Sequence, residues 1–301
     1  MKILNIIATI VAATSAFCAH AQGFTIYPKN GDPVTYMSSE VDRVEFEVNE
    51  NPETVAPKIG DFYFSDGTWG TASNSAKTVI GIIYWLGDPT ATDAALKREH
   101  PNCTHGLVVA LDQKSSPWQK NYERYGNKIS KWVEANITAY AAPCSDGGEN
   151  DPLQEILGYN NTKAIEAFNA AEENADWKVD AVEYVVNYRS EVPAPASSSD
   201  WYLPSPKELS LLWTGEIQGT IRVSKAAPTM YNVIRPRILA AGGMEVGDLA
   251  LWSSTENKKD SFAYDWWTAW NYYFEEDIKA PLSGSVKDWS EYACARAILA
   301  F

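Results

Sequence analysis

The sequence predicts an α+β protein, with antiparallel strands flanked by helices and a short N-terminal β element ahead of them. Three observations predict it. Apolar and polar residues alternate at Val44, Phe46 and Val48 and again from Phe262 to Phe274, as strands with one packed face require. The middle of the chain places Ile165 with Phe168, and Leu209 with Leu212 and Trp213, at helical spacing. Between the first strands and the rest lies a polar, proline-bounded stretch, residues 49–57, that reads as a linker.

Residues 1–21 have the layout of a secretory signal peptide: Lys2 at the start, an apolar stretch from Ile3 to Phe17, and Ala19-His20-Ala21 as a small-x-small cleavage site. The chain is therefore expected to be exported and to begin near Gln22. Phe17 stands before Cys18 where lipid attachment needs a small residue, and the apolar core is shorter than the ~20 residues that span a bilayer. Residues 22–57 form the N-terminal β element and linker. Phe24 to Tyr27 and Val34 to Tyr36 flank Asn30-Gly31 and read as a hairpin, with Val44 to Val48 as a further strand.

The main domain is expected over residues 58–301. Gly60 to Trp69 is an aromatic strand followed by an Asp66-Gly67 turn, and Val79 to Leu86 and His105 to Leu111 are buried strands. Asp93 to Arg98 forms a short helical turn. Asn161 or Thr162 is expected to cap a helix with Ile165 and Phe168 on one face; Val182, Val185 and Val186 line a second that ends near Arg189. Ser205, Pro206 and Glu208 make a capping box for a third, and Gly242-Gly243 stops a fourth. Beyond Leu251 the pattern is strands and loops.

Composition narrows the function. The chain has 301 residues, 45% hydrophobic, and a formal charge of -14. Loss of Lys2 with the leader makes it -15 (-14 minus 1), a balance that disfavours nucleic acid and anionic membranes as partners. Cys103, Cys144 and Cys294 remain after export and allow one bridge with a thiol over; the sequence leaves the pair open. His100 and His105 flank Cys103 without a fourth ligand at zinc spacing, so the segment reads as a loop entering a strand, and neither metal nor cofactor is called for. No glycine-rich phosphate loop is present.

The aromatic run supplies the candidate site. Its even positions, Phe262, Tyr264, Trp266, Trp270, Tyr272 and Phe274, are expected in the core. Its odd positions include Asp265, Trp267, Asn271 and Tyr273, a mixture that suits an exposed binding face. The other reading is a central strand covered on both sides. A second candidate is Lys287-Asp288-Trp289-Ser290, a polar loop tip that displays Trp289.

Gly60 to Trp69, Trp201-Tyr202-Leu203-Pro204-Ser205 with Glu208-Leu209, Trp252-Ser253-Ser254-Thr255-Glu256 and Arg296 to Phe301 resemble, in this order, the secreted C-type-lectin-like domains of gut Bacteroidota. Related domains occur in fimbrial tip adhesins, retroelement variable proteins and, distantly, formylglycine-generating enzymes. The resemblance implies a C-type-lectin-like domain of small antiparallel sheets with flanking helices, and strands around Trp252 and Arg296 beneath a ligand face. On it Asp265, Trp267, Asn271, Tyr273 and Trp289 would be displayed. The chain departs from calcium-dependent lectins: Glu-Pro-Asn, Gln-Pro-Asp and Trp-Asn-Asp triplets are all missing, so calcium-mediated sugar binding is unsupported.

Together these readings give a noncatalytic, adhesin-like protein at the cell surface or outside the cell that recognises a glycan or protein ligand through its aromatic C-terminal face. The alternative is a fimbria-associated structural subunit with a fimbrial or surface assembly partner. An enzyme reading would use Cys294 with Cys144 near it in space, or the Glu275-Glu276-Asp277 acids across a cleft.

Overall fold

The computed structural model describes residues 23–26, 32–37, 39, 56–73, 76–122, 128–147, 152–218, 221, 228–245, 249–258, 268–274, 281–291 and 293–301. The chain divides into two compact units, Met1–Thr54 and Val55–Phe301. In the first, β1 (Gly23–Ile26) pairs antiparallel with β2 (Val34–Met37), Gly23 opposite Met37 and Ile26 opposite Val34. The Thr25 and Thr35 hydroxyls meet across the pair at 2.8 Å. This is the hairpin that the alternating β-formers predict. The leader and the strand expected at Val44 to Val48 lie outside the described residues.

The second unit is built on one mixed sheet. In chain order it contains β3 (Phe62–Phe64), β4 (Trp69–Gly70), β5 (Val79–Leu86), α1 (Ala94–Glu99), β6 (Gly106–Ser115), α2 (Ile129–Asn136), β7 (Cys144–Ser145), α3 (Gly158–Ala170) and α4 (Asp180–Glu191). There follow α5 (Pro206–Thr214), α6 (Tyr231–Ala240), β8 (Ala250–Asn257), β9 (Thr268–Tyr273), β10 (Leu282–Val286) and β11 (Ala293–Ala300). The strands lie in the order β10-β9-β8-β11-β6-β5-β3-β4, with β7 joined to β8. Pairing is antiparallel except for β11 on β8 and β7 on β8. The α+β expectation holds, but the described strands of this unit form a single nine-stranded sheet where small ones were expected. The closing strand lies in the middle of it, which is why every residue of β11 is buried.

Helices cover both faces. Along β6, Leu107 and Val109 enter the layer formed with α1, α5 and α6, while Val108 and Ala110 enter the layer formed with α2, α3 and α4. Local signals explain several element ends. Asp66 Oδ1 accepts from the backbone N–H of Thr68 at 3.0 Å, and Gly67 takes φ 82°, so the β3–β4 turn closes where the Asp-Gly pair predicts. Asp93 caps α1 by accepting from Ala95 and Leu96 N–H, and Ser205 with Glu208 forms the predicted capping box of α5.

Two helix expectations are corrected. α3 begins at Gly158, so Asn161 and Thr162 lie inside it and cap nothing. They are buried and hold neighbouring segments instead: Asn161 Nδ2 donates to Thr255 Oγ1 at 3.0 Å, and Thr162 Oγ1 donates to the Leu203 carbonyl at 3.2 Å. On α4, Val182 and Val185 are buried but Val186 faces solvent, because a 3.6-residue turn carries it off the stripe of its neighbours.

Candidate binding surface

β9 runs between β8 and β10, hydrogen-bonded to both, and its two faces enter the two core layers. The even-numbered Trp270 and Tyr272, with Phe274 just past the strand, are buried as expected. The odd face is covered as well. Asn271 is fully buried, with Nδ2 2.6 Å from Ser285 Oγ, and is therefore not on the exposed face that the alternation suggested. The physical reason is the second reading of the pattern: β9 is a central strand with protein on both sides. Tyr273 is half-buried against the α2–α4 layer, and its backbone N–H donates to the Pro281 carbonyl at 2.8 Å. Asp265, Trp267 and the Glu275-Glu276-Asp277 acids lie outside the described residues.

Among the described residues, Trp289 is the sequence-predicted one that reaches solvent most openly, at 37% exposure. Its loop is tied down at several points. The Trp289 N–H donates to the Val286 carbonyl at 3.1 Å, the Lys287 carbonyl accepts from Gln119 N–H at 3.0 Å, and the Ser290 carbonyl accepts from the Ser115 hydroxyl. The loop thus presents an indole from a fixed frame. It is not a uniformly polar tip, however, because Lys287 is entirely buried.

Lys287 is buried because Glu256 is. At the end of β8 the Glu256 carboxylate accepts from Ile129 N–H at 3.0 Å, from Ser130 N–H at 3.0 Å and from Ser130 Oγ at 2.5 Å, so it caps α2. The Lys287 ammonium donates to the same carboxylate and lies 5.0 Å from the Trp118 ring centroid. Burial holds the Lys287 ammonium below its usual range, with Glu256 opposing. Trp118 and Trp252 complete this polar core by donating their indole N–H to the Ser253 and Ser116 carbonyls, each at 2.8 Å.

Two other buried charges frame the fold. Arg296 donates to the carbonyls of Ala110, Leu111 and Met244 at 3.0, 2.5 and 2.6 Å and to Gln113 Oε1 at 3.2 Å; burial pulls its guanidinium down to about 10. Glu208 Oε2 accepts from Ser205 N–H at 2.6 Å and Gly158 N–H at 3.1 Å, and Oε1 accepts from Tyr202 O–H at 2.9 Å. Burial nevertheless lifts its carboxyl to about 7.

The residues considered for chemistry are dispersed. His100 Nε2 sits 3.1 Å from Tyr159 Oη, and His105 stacks on Phe301. Cys103, Cys144 and Cys294 are free. Cys144 is paired with Glu256 and Cys294 with Leu251, five positions apart on β8 (256 minus 251), or on the order of 16 Å along the strand. A disulfide needs Cα atoms within about 7 Å, so this pair is too far apart to bridge. Among the described residues no three His, Cys, Asp or Glu side chains gather as metal ligands.

An open groove of about 520 Å³ lies on the α3–α4 hairpin, and sequence reasoning missed it. Lys163, Glu166 and Asn169 of α3, Glu183 and Val186 of α4, and Tyr140 line it. No local motif announces such a site, since it exists only when the two helices are paired.

No family model matches the chain. It is similar to a curated protein of Bacteroides ovatus named as the fimbrium tip subunit Fim1C, with 29% identity over 177 residues, covering 52% of this chain and 32% of that protein. In structure it resembles a crystallised fimbrial protein from Bacteroides ovatus, with a TM-score of 0.61 and 21% identity, over 81% of this chain and 49% of the other. The chain thus spans about a third of the curated relative and about half of the solved one, and its sequence and fold are similar to those of fimbrial proteins.

Proposed function

We propose that this chain is a fimbria-associated subunit of the cell surface. The similarity to a fimbrium tip subunit over 177 residues is the observation that supports the reading most strongly. The secretory layout of residues 1–21 agrees with it, as does a fold shared with a fimbrial protein over most of the chain. No helix among the described residues is long and apolar enough to cross a membrane. The role is structural or recognition-based and noncatalytic. Copurification with sheared fimbriae of an epitope-tagged chain expressed in its own cells tests it; recovery in the soluble periplasmic fraction alone would count against it.

The finer reading is an adhesin-like module with a C-type-lectin-like fold, which grips a glycan or protein ligand through its C-terminal aromatic surface. Trp289 is its best-supported contact, since an exposed indole on a tied loop fits a sugar face or a protein hot spot. Tyr273, Asp265 and Trp267 remain candidates beside it, whereas buried Asn271 would act only by positioning β10 through Ser285. Screening the mature chain against surface glycans and host proteins, then repeating the positive cases with Trp289→Ala, tests this reading. Unchanged binding by the variant would remove Trp289 from the contact.

A further inference from the structure

The α3–α4 groove has walls that define a ligand. Its volume of about 520 Å³ falls in the ~300–1,000 Å³ range of small-ligand sites, and its open form suits a chain molecule lying along it. Its charges are matched within the protein. Lys163 Nζ is 2.9 Å from Glu166 Oε2, Arg189 Nη2 is 2.6 Å from Glu166 Oε1, and Lys178 Nζ is 2.8 Å from Glu183 Oε1. Two lysines and two carboxylates line the groove, so its lining is neutral on a chain of charge -14. A charged ligand would have to break ion pairs to gain one, whereas an uncharged hydroxyl can donate to a carboxylate and accept from an ammonium in place.

The remaining walls are apolar or rigid. Ala167, Ala170 and the exposed Val186 offer a surface for C–H groups. Tyr140 contributes a ring fixed at two points, by its O–H donating to Glu99 Oε1 at 3.0 Å and by the Arg98 guanidinium 5.3 Å from its centroid. Asn169 is locked by Val179, whose N–H donates to Oδ1 at 2.8 Å and whose carbonyl accepts from Nδ2 at 3.1 Å. Little side-chain freedom is left to lose when a ligand arrives. We propose that this groove binds an uncharged oligosaccharide, with a ring over Tyr140 and hydroxyls exchanging hydrogen bonds with the paired lysines and glutamates. The proposal goes beyond fimbrial association, because it assigns a ligand site away from the aromatic strands and stands whether or not the chain enters fimbriae.

The test is calorimetric titration of the full mature chain with maltohexaose, cellohexaose, xylohexaose, mannohexaose and chitohexaose. Hexagalacturonate and an acidic and a basic decapeptide serve as charged comparisons. At least one uncharged hexasaccharide is expected to bind more tightly than any comparison, and Ala170→Trp, which fills the groove from an exposed position, is expected to weaken it at least tenfold with an unchanged melting temperature. Absence of binding by all five, preference for hexagalacturonate or a peptide, or equal binding by Ala170→Trp would each overturn the assignment.

Discussion

Lys287 and Glu256 form an ion pair that is shut off from water at both ends, and the same carboxylate closes the N-terminus of α2. The pair joins the loop after β10, the end of β8 and a helix more than a hundred residues earlier in the chain. Its geometry compensates for desolvation, because Glu256 collects four donors, from two backbone N–H groups, one hydroxyl and the ammonium. Removing one partner leaves the other buried and uncompensated. Lys287→Met is expected to lower the unfolding free energy by about 3–5 kcal/mol in urea titration. A loss below about 1 kcal/mol would show that Glu256 is satisfied by α2 alone.

Glu208 makes stability depend on pH. Burial lifts its carboxyl from the ordinary value of 4.5 to about 7, so the folded state holds a proton that the unfolded chain has released between these values. The contribution is complete below about pH 4.5 and is lost as pH rises through about 7, for about 3 kcal/mol in all. Glu208→Gln keeps an oxygen for Ser205 and Gly158 N–H and an amide for Tyr202 Oη, so it is expected to fold. Its stability should fall less than that of the parent between pH 5 and pH 8, as followed by chemical denaturation. Parallel curves for the two proteins would contradict the assignment.

Arg296 is held mainly by carbonyls and by no carboxylate among its hydrogen bonds. Its planar fork serves β6 and the segment at Met244 together, and a lysine ammonium at the end of a flexible stem cannot match it. Arg296→Lys is expected to cost about 2–4 kcal/mol, since several buried carbonyls lose a charged donor at once. A thermal shift of less than two degrees would mean that water replaces the guanidinium.

The thiols should behave as three independent groups. Burial pushes Cys103 and Cys144 to about 11 and raises Cys294 as well, so little thiolate exists at pH 8. Dithionitrobenzoate is expected to react slowly with the folded mature chain and to titrate three thiols once it is unfolded without reductant. A count of one would reveal a disulfide.

What could be read in the sequence was what is encoded locally. The Ser205–Glu208 box, the Asp66-Gly67 turn and the apolar run of β5 each contain their own instructions, and each forms where expected. α2 does not: its N-cap residue, Lys128, makes no side-chain cap, because the cap is Glu256, 127 residues from Ile129. Asn271 could not be placed from sequence for a related reason, since alternation reports two faces but not whether the second one is covered. Lys287 looked like solvated charge beside Asp288, and only the position of Glu256 reveals it as core. The groove required the α3–α4 pairing itself.

The central claim is association with fimbriae, and its most direct test is immunogold electron microscopy of cells that express the epitope-tagged chain, with a strain lacking it as control. Gold particles confined to fimbriae, at their ends if the tip-subunit similarity extends to position, are the expected result. Label spread over the cell body or absent from the surface, with unaltered fimbriae in the strain lacking the chain, would contradict it.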